Sequence, residues 1–145
     1  MLDILAFRWP RPCYLVGADR GRVALVVTEM LASRSLARLR AFMSNSTVLP
    51  LQHAGLIAPG VVMPLSEFVT LPPYSGRQRG DSFRGYRVRI TEAGFAAIGV
   101  DVPSREEALT WACSESEVDA ALALLRQDAA SAVRVAAQIG RLRGE

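Results

Sequence analysis

The most constraining stretch of the chain is Tyr86-Arg87-Val88-Arg89-Ile90-Thr91-Glu92-Ala93-Gly94. Its first five residues alternate, so an extended backbone puts Tyr86, Val88 and Ile90 on one side and Arg87 and Arg89 on the other. Thr91 then offers a side-chain oxygen to the first turn of a helix, and Glu92 suits the positive end of that helix's dipole. Gly94, lacking a Cβ, lets the new helix lie close on the core. A strand that passes directly into a helix demands mixed packing, and one side of it is cationic.

The charge extends upstream. Residues 76–85 add Arg77, Arg79 and Arg84 among glycines and aromatics. All 17 basic residues are arginine, whose planar fork suits phosphate oxygens and base edges. Residues 1–90 hold 12 arginines against 5 acids, and residues 91–145 hold 5 against 9. The net charge of +3 therefore conceals a cationic part and an acidic, alanine-rich part. Such a division points to a half that meets a polyanion and a half with another task.

At 145 residues the chain suits one domain with an appended helix, and its core needs no staples. Cys13 and Cys113 fit no metal-ligand spacing and are expected as reduced thiols. The N-terminus carries Asp3, Pro10 and Pro12 rather than a basic leader. No apolar run reaches the ~18 residues of a membrane span, so a cytoplasmic setting without a membrane partner is expected. His53 is the single histidine and has no partner at a catalytic or metal spacing. The signatures of serine hydrolases, phosphate-binding loops, zinc peptidases and dinucleotide folds are absent. Glu106, Glu107, Glu115 and Glu117 stand at helix starts, where the dipole accounts for them. No enzyme, cofactor or metal is expected.

Periodicity predicts three helices ahead of the strand. Val23, Val26, Val27, Met30 and Leu31 predict one from about Arg22 to Ala32. Leu36, Leu39, Phe42 and Met43 predict a second, facing inward, with Arg34 and Arg38 on its outer side. A third follows the cap cluster Ser44-Asn45-Ser46, with Pro50 in its first turn and Gly55 closing it. Residues 1–20 are expected to be irregular apart from a short strand at Tyr14–Val16. Residues 56–71 predict a strand in which Pro64 marks an edge. A loop over 72–85 precedes the Tyr86–Ile90 strand. Thr91, Ser104 and Ser114 cap three further helices, the last running from Glu115 to about Gly140.

Helix, helix, turn, short helix, two strands joined by a basic loop, then a helix: this order resembles a winged helix-turn-helix domain. The segment "STVLPLQHAGLI" is similar to the end of a recognition helix leading into the first wing strand. "YRVRITEAGFAAI" is similar to the second wing strand and its exit in MarR-like and PadR-like regulators. The resemblance covers about residues 22–98. It implies an α+β, mostly α, fold with an N-terminal arm over 1–20, a winged-helix domain with a long arginine-rich wing over 21–100, and a C-terminal helical segment over 101–145 for dimerisation or partner binding.

The resemblance also implies weakly specific or sequence-tolerant binding of double-stranded DNA, as in a transcriptional regulator or a phage or mobile-element accessory factor. Arg77 and Arg79 would reach the minor groove, and Arg84, Arg87 and Arg89 would grip phosphates. Arg34 and Arg38 would touch the adjacent backbone, and Ser46, Thr47, Gln52 and His53 would form the polar surface of the third helix. Leu49, Pro50 and Leu51 leave that helix little polar surface, which favours the alternative of an interaction module that docks an acidic protein partner.

The last helix carries its own signal. Val118, Leu122, Leu125, Ala129, Ala132, Ala136 and Ile139 follow a heptad spacing. The stripe suits either packing within its own domain or a homodimer interface, and the regulator resemblance tilts the expectation toward the homodimer.

Overall fold

Five consecutive apolar residues, Val23-Ala24-Leu25-Val26-Val27, decide the architecture. All five are buried. In an extended chain neighbouring side chains point to opposite sides, so both sides of this segment are covered. The computed structural model, which describes residues 1–17, 22–31, 34–64, 69–70, 84–111 and 114–144, makes it an inner strand of a sheet.

In chain order the elements are α1 (Leu2–Arg8), β1 (Cys13–Gly17), β2 (Arg22–Leu31), β3 (Arg34–Ser44), α2 (Asn45–His53), β4 (Ile57–Pro64), β5 (Val69–Thr70), β6 (Arg84–Ile90), α3 (Glu92–Ala97), α4 (Arg105–Leu109) and α5 (Glu115–Leu142). The six strands form one sheet in the order β4-β6-β1-β2-β3-β5. β1 pairs antiparallel with both β2 and β6, β2 pairs antiparallel with β3, and β3 pairs parallel with β5. The edge position of β4 agrees with its Pro59 and Pro64, neither of which can donate to a ladder.

The chain divides into two compact units. The first comprises Met1–Pro10, Gly55–Ala58 and Ile90–Glu145, and the second Arg11–Ala54 and Pro59–Arg89. In the first, Trp9 stands edge-on to Phe95 with ring centroids 6.0 Å apart. Ala108, Val118, Ala121 and Leu125 join them in its buried interior. The second holds β1, β2, β3, α2 and most of β4 and β6.

These findings overturn the mostly α, winged-helix fold class. The helix expected over Arg22–Ala32 is β2, and the helix expected after it is β3, so the expected helix-turn-helix is a strand pair. A run of β-branched and aliphatic residues in succession suits a strand buried on both sides, and periodicity alone does not separate that from a buried helix. In β3 the cause is a bulge. Val26 pairs with Leu39 but Leu25 with Ala41, leaving Arg40 as an extra residue. One inserted residue changes the phase of the two-residue alternation and leaves three-residue spacings that look helical. Residues 1–17, expected to be largely irregular, form α1 and a β1 that extends beyond Tyr14–Val16 on both sides. Pro50 is the sixth residue of α2 rather than part of its first turn, so the Ser46 carbonyl receives no bond from it.

Other local expectations match. Gly55 has φ +73° just beyond α2. Thr91, Ser104 and Ser114 each accept a hydrogen bond from the backbone N–H three residues on. Among the described residues, no helix is long and apolar enough to cross a membrane.

Candidate polyanion-binding face

The strand β6 alternates as its sequence requires. Val88 and Ile90 are buried on one side, with Tyr86 partly buried beside them. Burial pushes the Tyr86 phenol above its ordinary pKa, so it stays neutral. Arg87 and Arg89 project to the other side, each partly buried. Arg87 pairs with Tyr14, and Tyr14 with Val26, so these three share one side of the sheet. Gly85, Val16 and Ala24 form the next row on that side, and these, like Tyr14 and Val26, are buried, so only the margins of this side reach the surface. Two residues before Ala24 comes Arg22, which the period-2 pleat returns to the same side.

Backbone geometry holds the two β6 arginines in different ways. A Cβ on Gly60 would lie 3.1 Å from Arg87 Cβ and 3.2 Å from the Arg87 carbonyl oxygen, so the bare glycine admits the Arg87 stem. Arg89 Nη1 donates to the Pro59 carbonyl at 3.1 Å. Arg87 Nε is buried and has no hydrogen-bond partner among the described residues, which is costly for a donor.

Arg22 sits at the far end of the β2–β3 hairpin. Its guanidinium carbon lies 4.7 Å from the centroid of Phe42, a cation–π contact. Phe42, expected to face inward, is 43 % exposed. Arg22 also pairs with Ser44, the residue that opens α2. Ser44 Oγ lies 2.7 Å from Ser46 Oγ and 3.2 Å from Thr47 Oγ1, while no side chain caps the α2 N–H groups. The first turn of α2 therefore presents hydroxyls and open amide donors beside Arg22.

Of the residues expected in the site, Arg87 and Arg89 share one side of the sheet, and Ser46 and Thr47 cluster at the start of α2. Gln52 and His53 lie at the other end of α2, about 9 Å along its axis. Arg34 and Arg38 belong to β3 rather than to a helix, and Arg84 opens β6. The side chains of these three, and all of Arg77 and Arg79, lie outside the described residues. Phe42 is the contributor that sequence reasoning missed. Its signal was the pairing of Arg22 with Ser44, legible only once residues 22–44 are taken as a hairpin.

In the first unit an arginine is used differently. Arg105 Nε donates to Asp119 Oδ1 at 2.9 Å and Nη2 to Oδ2 at 3.4 Å, with Glu115 3.7 Å away. That hydrogen-bonded pairing raises the Arg105 pKa and lowers the Asp119 carboxyl below its usual range. Among the described residues, no three His, Cys, Asp or Glu side chains are grouped to hold a metal. Cys13 is buried, and Cys113 lies outside the described residues.

No family model, no curated protein and no solved structure matches the chain. The resemblance to winged-helix regulators gains nothing from these comparisons.

Proposed function

We propose that the second unit binds the phosphate backbone of double-stranded DNA with little sequence preference. The single observation that carries this reading is the placement of Arg87 and Arg89 of β6 on the same side of the sheet as Arg22 of β2. The division of charge supports it: the second unit contains eleven arginines against four carboxylates, the first six against ten. Guanidinium forks suit phosphate oxygens, and several such contacts give an affinity that falls steeply with salt. α2 offers few polar side chains for base edges, which agrees with tolerance of sequence.

The test is fluorescence anisotropy on a random duplex at ~50 mM and ~200 mM salt. Binding at the lower salt should weaken by at least tenfold at the higher. A variant with Arg77, Arg79, Arg84, Arg87 and Arg89 all changed to Ser should not bind. Absence of wild-type binding at ~50 mM overturns the DNA reading and points to an acidic protein as the partner.

A further inference from the structure

The helix α5 leaves the body of its own unit halfway along. Val118, Ala121 and Leu125 are buried, and Leu122, Asp128 and Ala129 partly so. From Ala132 onward the same side of the helix continues uncovered through Val135, Ala136, Ile139 and Leu142. Val135 is 55 % exposed, Ile139 44 % and Leu142 81 %. At 3.6 residues per turn these positions form one apolar stripe, with Arg134, Ala137 and Arg141 on the opposite side. The heptad stripe expected from sequence thus splits: Val118 and Leu125 serve the chain's own core, while Ala132, Ala136 and Ile139 do not.

We infer that this half-helix pairs antiparallel with the same segment of a second copy, about a twofold axis between Val135 and Ala136. The distribution of side-chain sizes argues for that occupant and direction. The small residues come first along the stripe and the large ones last. In this register Ala129 faces the partner's Leu142, Ala132 faces the partner's Ile139, and Val135 faces the partner's Ala136. Each large side chain meets a small one, as interdigitating helices require. The helix dipoles also oppose in this direction. A parallel pair would instead set Leu142 on Leu142, Ala132 on Ala132 and Arg143 on Arg143, with voids at one end and like charges at the other. The stripe is also continuous with an interior that α5 already builds, so the axis needs no new geometry from the helix. This inference is independent of the DNA reading.

Sedimentation equilibrium of the full chain, without nucleic acid, tests it. A particle of twice the 15.7 kDa chain mass is expected at micromolar concentration. Val135→Asp and Ile139→Asp, each with an unchanged far-ultraviolet circular dichroism spectrum, should weaken association at least tenfold, and Ala137→Asp on the opposite side should not. Direction is read by oxidative cross-linking against the parent chain. Ala136→Cys lies near the axis and should form a covalent dimer, whereas Leu142→Cys should not. A monomer at ~100 µM, a dimer unaffected by Ile139→Asp, or efficient cross-linking through Leu142→Cys would each overturn the proposal.

Discussion

Thr91 ties the start of α3 to the Gly55–Leu56 segment with three hydrogen bonds. It donates to the Gly55 carbonyl at 2.6 Å and accepts from Gly94 N at 3.1 Å, while its own backbone N–H reaches the Leu56 carbonyl at 3.1 Å. It is 7 % exposed, so a lost bond leaves buried polar groups unsatisfied. Thr91→Val keeps the shape and removes both hydroxyl bonds. It should cost about 2–3 kcal/mol in urea unfolding, combining a lost cap with a stranded carbonyl, whereas Thr91→Ser should cost less than about 1 kcal/mol. Equal costs for the two would mean that the hydroxyl bonds contribute nothing. The cap itself was legible in the sequence because it acts through near neighbours, whereas the bonds to Gly55 and Leu56 depend on the fold. Gly94 is forced in the same way: a Cβ there would meet the Leu56 carbonyl oxygen and come within 2.6 Å of Ile90 Cγ1. The contact of Trp9 with Phe95 was not legible, since only the fold brings those rings together.

At the level of elements, β6, α2 and the last three helices could be read in advance, and β2 and β3 could not. The readable ones carry their own boundaries in Thr91, Ser104, Ser114 and Gly55. β2 has no such marker at its start, and its unbroken apolar run fits either a helix or a doubly covered strand. The Arg40 bulge then disguised β3. The arginines of the candidate face were therefore legible as residue types but not as a surface, because the side each occupies depends on strand pairing. The helical elements carry one pH-dependent clasp, Arg105 on Asp119. The folded Asp119 carboxyl titrates below its ordinary value near 4, chiefly through the hydrogen bond from Arg105. Its contribution is thus complete above the unfolded pKa and is lost as the pH falls through the folded one. Asp119→Asn should lower the melting temperature slightly at pH 7, by less in concentrated salt because both partners are exposed. The gap from wild type should close as the pH falls below ~4. A gap that persists in acid would mean that the aspartate acts other than through its charge.

The charge of the whole molecule says less than its distribution. A net +3 and a pI near 9.4 would attract any polyanion weakly, wherever the arginines sat. The sheet unit nevertheless carries a surplus of arginine and the helical unit a surplus of acid. If binding draws on bulk charge, removing two arginines anywhere lowers affinity alike. If it draws on phosphate contacts at the sheet, position decides. Two double variants separate these cases. Arg87→Ser with Arg89→Ser, and Arg134→Ser with Arg141→Ser, each lower the net charge by two. The slope of log affinity against log salt counts the phosphates neutralised, at about 0.9 per contact on duplex DNA. The sheet pair should therefore flatten that slope by about 1.8, and the α5 pair should leave it unchanged. Equal flattening by both pairs would reduce the arginine face to one part of a diffuse cationic field and remove its claim to be a site.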